Sequence, residues 1–185
     1  VGKESAEKKE SRQEITVLKT KRKSKNSMKG IARFFLICAA TIIAVSCDEQ
    51  RVFEENAEFE QAVWKRDAPV SFQFDVADTV SRYNMFVNLR NETNYEFRNI
   101  FLFLTLKAPD GQQATDTLEC FLADEKGKWY GKGGAQLLDN RILYKRNIRF
   151  PAAGTYRVTL EQAMRTAELA HIRNVGFRLE KAGQQ

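Results

Sequence analysis

The residue best placed to carry chemistry in this 185-residue chain is Cys47, because of what precedes it. Phe34 to Ser46 is an uncharged, largely apolar stretch ending in Ala44-Val45-Ser46 directly before the cysteine. Met28, Lys29 and Arg33 supply the basic start that an export signal needs. A lipoprotein signal peptidase cuts before such a cysteine, whose thiol is diacylated and which then becomes the new N-terminus. The stretch is shorter than the ~18–20 apolar residues that span a bilayer, so it reads as a removable signal.

Other reactive side chains offer less. His171 is the only histidine, so a Ser-His-Asp triad or a histidine metal site would have to use it. No nearby His, Cys or carboxylate cluster supports either, and it reads as a hydrogen-bonded residue ahead of the last strand. Cys120 sits in an alternating segment and reads as a small buried apolar residue. Gly127 to Gly134 invites a phosphate-loop reading, but three residues separate Gly127 from Gly131-Lys132, and Gly133 follows. A Walker motif needs four, then Ser or Thr. No catalytic, metal or cofactor-binding residue is therefore expected. Trp64, Trp129 and Tyr130 could stack on sugar rings, although packing in a core or at an edge is the commoner use of such side chains.

The net charge of +6 points to nucleic acid or a membrane surface until the chain is divided at Cys47. Residues 1–47 hold 11 Lys/Arg against 4 Asp/Glu, whereas 48–185 hold 19 against 20, a net −1. The basic excess leaves with the signal, so a nucleic-acid partner is not expected. Residues 1–27 are polar and lysine-rich and read as a disordered leader that cannot bury enough apolar area to fold. We take Met28 as the translation start and the leader as a start-site artefact; a long basic n-region is the alternative.

The expected organisation is thus a 1–27 leader, a 28–46 signal peptide, a lipidated tether over 47–69 and a folded domain over 70–181. That domain has the size of one compact core. It must stand without a disulfide, since Cys38 leaves with the signal, Cys47 takes lipid and Cys120 is left alone. Aromatic side chains fill the gap: 18 of the 20 fall after Cys47.

Val70, Phe72, Phe74 and Val76 alternate with polar residues, as do Tyr83, Met85, Val87 and Leu89, and each set predicts a half-buried strand. Ile100 to Leu104 is apolar on both faces and predicts a central strand covered on both sides. Leu118, Cys120 and Leu122 predict another strand, Ile142–Phe150 and Thr155–Leu160 a hairpin, and Val175, Phe177 and Leu179 the last strand. Glu161–Ala170 is the only helix-like piece. The fold class expected is all-β: a single antiparallel β-sandwich of about seven to eight strands with one short helical segment.

Several blocks resemble the gliding motility-associated lipoproteins of the GldH family. They are Asn88-Leu89-Arg90-Asn91 with Tyr95, Asn99-Ile100-Phe101-Leu102-Phe103, and Asp116-Thr117-Leu118 leading to Leu122-Ala123-Asp124, Gly127 and Trp129. Gln162-Ala163-Met164-Arg165, Ile172, Val175-Gly176-Phe177 and Glu180-Lys181 complete the likeness. Gly131-Lys132-Gly133-Gly134 departs from the family pattern.

The resemblance implies a lipid-anchored envelope protein of Bacteroidetes-type bacteria, expected at the outer membrane, whose partners belong to the gliding and secretion machinery. It transfers one position, Cys47, and no catalytic residue. Asp48-Glu49 is then either a solvated acidic tether or a surface-export signal of that bacterial group. Asp78-Thr79-Val80 and Asp116-Thr117-Leu118 resemble the Asp-Thr-aliphatic motif that such bacteria O-glycosylate, making Thr79 and Thr117 candidate sites. The expected function is non-enzymatic support of gliding or its coupled secretion through protein contacts. The alternative is a surface glycan-binding module.

Overall fold

The computed structural model describes Asp48 and residues 50–183, so the leader, the signal and Cys47 lie outside the described residues. The chain forms β1 (Arg51–Glu58), β2 (Val63–Lys65), β3 (Val70–Val76), β4 (Tyr83–Glu92), β5 (Asn99–Lys107) and β6 (Gln113–Phe121). It continues through β7 (Lys132–Gly133), β8 (Leu137–Ile148), β9 (Gly154–Gln162), β10 (Glu168–Ala170) and β11 (Ile172–Lys181). The one helical element among the described residues is a 3-10 turn, Glu60–Ala62.

A five-stranded sheet runs β1-β11-β4-β8-β7, a four-stranded sheet runs β3-β9-β5-β6, and β10 pairs with β2 alone. All pairings are antiparallel.

Period-2 alternation decides which face each strand buries. Met85, Val87 and Leu89 of β4 and Val175, Phe177 and Leu179 of β11 point inward from the larger sheet. Phe72, Phe74 and Val76 of β3, Ile100, Leu102 and Leu104 of β5, and Tyr156, Val158 and Leu160 of β9 meet them from the smaller one. Phe74 lies at the join. Its ring stacks on Phe177 of the opposite sheet at 5.4 Å and on Tyr156 at 5.9 Å, with Phe53 at 5.7 Å and Phe150 edge-on at 5.8 Å. Offset and edge contacts of this kind add to the area term, which suits a domain with no disulfide.

The sandwich expected from the alternation is present, with nine strands in its two sheets and a separate β2–β10 pair rather than seven or eight strands in all, and four local expectations are corrected. Arg51–Glu58, expected in the tether, is β1, an edge strand paired with β11 along its length. Ile142–Phe150 and Thr155–Leu160 do not form a hairpin: β8 pairs with β4, while β9 pairs with β3 and β5. The connection between them crosses from one sheet to the other, and the Tyr156 hydroxyl donates to the Ala152 carbonyl at 2.8 Å to hold that corner. Gly154 opens β9 with a φ of +138°, where a Cβ would also strike the Pro109 ring at 2.8 Å.

The third correction concerns β5, which is central in its sheet but covered on one face only, since Phe103 is 44 % exposed. The fourth is the helix. Glu161–Ala170 instead finishes β9, turns and forms β10. Gln162 is the reason: its side-chain amide donates to the Thr166 and Ala167 carbonyls, and its oxygen accepts from the Met164 amide at 2.9 Å. Arg66 takes the Met164 carbonyl at 2.7 Å. Backbone groups that a helix would use are already satisfied.

Truncating Phe74→Ala should cost about 3–5 kcal/mol in denaturant unfolding, since it removes the ring shared by both sheets. Phe103→Ala, on the outer face, should stay within about 0.5 kcal/mol. Equal losses at the two positions would contradict the packing described.

Candidate functional site

The outward side chains of the five-stranded sheet form a polar array that the inward alternation does not explain. From β11 they are Asn174, Gly176, Arg178 and Glu180, facing Glu54, Asn56 and Glu58 on β1 and Asn84, Phe86, Asn88 and Arg90 on β4. Gly176 lies where β1 comes closest. A Cβ there would sit 2.0 Å from Asn56 Oδ1 and 2.6 Å from the Glu55 carbonyl, so a larger residue would push β1 off the sheet.

Arg178 is the centre of this array and is only 2 % exposed. Its Nε donates to Glu180 at 2.5 Å, one terminal nitrogen donates to Glu54 at 2.5 Å, and the other donates to Asp48. Asn88 donates to the second Glu54 oxygen at 2.8 Å, and Arg51 and Arg141 approach Glu54 and Glu180 at 3.5 and 3.4 Å. Three carboxylates are thus matched by three guanidinium groups. The Arg178 hydrogen bond is the foremost influence holding the Asp48 carboxyl below its ordinary value of 3.8. For Glu54, burial opposes ionisation most strongly, yet hydrogen bonds from Arg178 and Asn88 bring its carboxyl below 4.5. A shallow groove of about 840 Å³ continues from this knot between Glu54, Asn88, Arg90, Tyr130, Lys132 and Arg141.

The residues singled out from the sequence do not converge. His171 bends the chain between β10 and β11 at a φ of 68° and shares the Glu92 carboxylate with Arg173, at 2.8 and 2.6 Å. It is a tied corner residue. Cys120 is fully buried, and that burial pushes its thiol up to about 12, leaving it inert. Trp64 is fully buried and stacks on Phe59 at 5.1 Å, its indole nitrogen donating to the Ala68 carbonyl. Trp129 is half-buried against the core and Tyr130 is 61 % exposed. Among the described residues no group of three or more His, Cys, Asp or Glu side chains is arranged to hold a metal ion.

The two Asp-Thr pairs have structural partners. Asp78 caps the Val80 and Ser81 amides at 2.9 Å and reaches Lys181 at 3.1 Å, with Thr79 half-buried in the turn. Asp116 bridges the sheets by accepting from Tyr144 and from Lys145 at 2.8 Å, while Thr117 is exposed on the outer face. Cys47 lies outside the described residues. Sequence reading passed over Arg178. The available signal was a long cation flanked by Phe177 and Leu179 in the last strand.

Replacing Arg178→Met should destabilise the domain by about 3 kcal/mol at neutral pH, because three carboxylates would then crowd one apolar side chain. Asp48 and Glu54 are held low in the folded state, so their stabilisation is complete above their ordinary values of 3.8 and 4.5. It drains away as pH falls through the depressed range. The gap between wild type and Arg178→Met should therefore narrow on acidification below about pH 4. A gap that stays constant with pH in thermal melts would show that the ion pairs contribute nothing.

Residues 51–179 match the family model described as GldH lipoprotein. A gliding motility lipoprotein GldH homologue from Christiangramia forsetii is 34 % identical over 84 % of this chain and 99 % of its own length. The gliding motility lipoprotein GldH of Flavobacterium johnsoniae is 36 % identical over 79 % of this chain and 94 % of its own. Among solved structures, a family 115 4-O-methyl-alpha-glucuronidase overlays 75 % of this chain and 18 % of that one, with 10 % identity and a TM-score of 0.40. That overlay is too loose to carry any argument, whereas the sequence matches extend from β1 to β11. The chain belongs to the GldH lipoprotein family.

Proposed function

We propose that this protein is anchored in the cell envelope by acyl chains on Cys47 and supports gliding motility, with its coupled secretion, by touching other envelope proteins. Its named relatives are gliding motility lipoproteins, which supports the setting. The outer membrane is the bilayer we assign. The acyl chains would carry many buried CH₂ groups at ~0.8 kcal/mol each, a hold far stronger than that of one myristoyl chain.

The observation that carries the contact reading is a pair of phenylalanines on the outer face of the four-stranded sheet. Phe103 is 44 % exposed, with half-buried Phe101 two residues before it on the same face of β5, while Phe121, 57 % exposed, lies opposite Asn99 at the end of β6 and lines the groove beside Tyr130. Their strands are neighbours, and β6 is the open edge of the sheet. An exposed phenylalanine with a second one two residues along the same face has the character of an interface anchor, since aromatic side chains are enriched at interface cores. A non-catalytic role is supported by the engagement of His171 with Glu92 and by the inert Cys120. The glycan-binding alternative needs a co-planar set of exposed rings, yet Trp64 is buried and Trp129 half-buried.

A photo-crosslinking amino acid at Phe103 should capture envelope proteins of the motility and secretion machinery in living cells, whereas the same probe at Gln73 should capture few. Phe103→Glu with Phe121→Glu should abolish those adducts without lowering the amount of lipoprotein. Capture of polysaccharide alone would overturn the reading. Cys47→Ser should leave a soluble, unprocessed or mislocalised protein. We also propose Thr117, and less directly Thr79, as O-glycan sites. A mature mass above that of the triacylated chain, reduced by Thr117→Ala, supports this, and an unmodified mass ends it.

A further inference from the structure

At one end of the sandwich the start of the described chain, an open groove and a set of cations come together. The Lys181 amide donates to the Gln50 carbonyl and the Ala182 amide to the Arg82 carbonyl, each at 2.8 Å. These bonds align the approach to β1, the start of β4 and the end of β11. The end of β8 joins them: Asn84 accepts from the Asn147 amide at 2.9 Å, and Arg82 donates to the Asn147 carbonyl at 3.0 Å.

The groove between these segments measures about 1130 Å³ and is lined by Val80, Arg82, Asn84, Arg146, Arg149 and Lys181, among others. Its lining holds four cations and no carboxylate. Asp78 reaches Lys181 from beyond the groove, at 3.1 Å. Arg82, Arg146 and Arg149 are exposed and form no ion pair among the described residues. Beside them Val80, 78 % exposed, projects an apolar side chain into solvent.

We propose that this end of the sandwich rests on the bilayer that anchors the protein, with Arg82, Arg146 and Arg149 on headgroup phosphates and Val80 in the interface. The inference builds on the acylation of Cys47 proposed above. Asp48 is fixed to Arg178, and one peptide unit of about 3.8 Å separates its Cα from that of Cys47. No slack remains to carry the acyl chains to the far end of the sandwich. A basic cluster within a Debye length of anionic headgroups is attracted to them, and the guanidinium fork fits phosphate oxygens bidentately. Phe101 and Phe103, from mid-strand toward the other end, would stay accessible to protein partners.

The test uses the mature lipoprotein, acyl chains intact, reconstituted into phosphatidylethanolamine vesicles with or without phosphatidylglycerol. A fluorophore is placed at Val80→Cys or, at the opposite end, at Glu125→Cys, and is quenched by headgroup-labelled lipid; buried Cys120 does not compete for the label. Quenching at position 80 should exceed that at 125 severalfold and rise with phosphatidylglycerol. It should fall toward the level at 125 in Arg146→Glu/Arg149→Glu, each arginine being worth about a fivefold bias toward the docked state. About 1 M salt should do the same in the unaltered protein, where the Debye length is about 3 Å. Vesicle flotation should persist in every case.

Flotation with equal quenching at the two positions would overturn the membrane-facing assignment while leaving acylation standing. Failure of the unaltered protein to float would overturn acylation itself, and the assignment with it. An equal response at position 80 to inorganic phosphate without vesicles would assign the groove to a small anion and overturn the lipid contact.

Discussion

A guanidinium group cannot be taken out of water alone: the penalty is several kcal/mol unless carboxylates and hydrogen bonds replace the hydration shell. Arg178 is 2 % exposed, and the groups that compensate it come from three stretches of the chain, at Asp48, Glu54 and Glu180. This requirement organises the N-terminal part of the domain. β1 is acid-rich and mostly exposed, and its apolar side chains alone give it weak grounds to join the sheet. The charge knot supplies the missing specificity, and Gly176 supplies the room for the approach. What reads as a leash is thereby part of the folded body.

Much of the fold was legible where one face of a strand is buried and the other wet. β3, β4 and β11 announce themselves through clean alternation, and their inward residues in the structure are those the pattern selects. The elements that escaped lack that contrast. β1 has no apolar stripe because it is an edge held by ions and backbone. The partition of β8 and β9 between two sheets depends on which partners outcompete a local hairpin, which spacing alone does not encode. The segment after Gln162 carries helical spacing, but a buried amide that satisfies three backbone groups decides its course.

The candidate site was less legible than the fold. His171, Cys120 and the tryptophans attract notice by their chemistry, yet each is absorbed into structure. Arg178 drew none, because a cation on the outer face of a strand looks solvated until a neighbouring strand covers it. The acidic pair after Cys47 shows the same ambiguity: Asp48 is a partner of Arg178, a contact 130 residues away in sequence. The resulting body is polar in the geometric sense. One end gathers the approach to β1 and the cations, and a phenylalanine pair lies toward the other on the outer face of the smaller sheet. That division suits a protein that sits on a membrane and offers a separate surface to neighbours.

The claim on which this picture turns is that Asp48 and residues 50–58 belong to the folded body. Hydrogen–deuterium exchange of the mature lipoprotein tests it without any substitution. Amides of Arg51–Glu58 that pair with β11 should be protected for minutes or longer, and protection should fall when the acids of the knot are protonated, after correction for intrinsic exchange rates. Exchange of those amides within seconds at neutral pH, while β4 and β11 remain protected, would show a free leash and contradict the role given to Arg178.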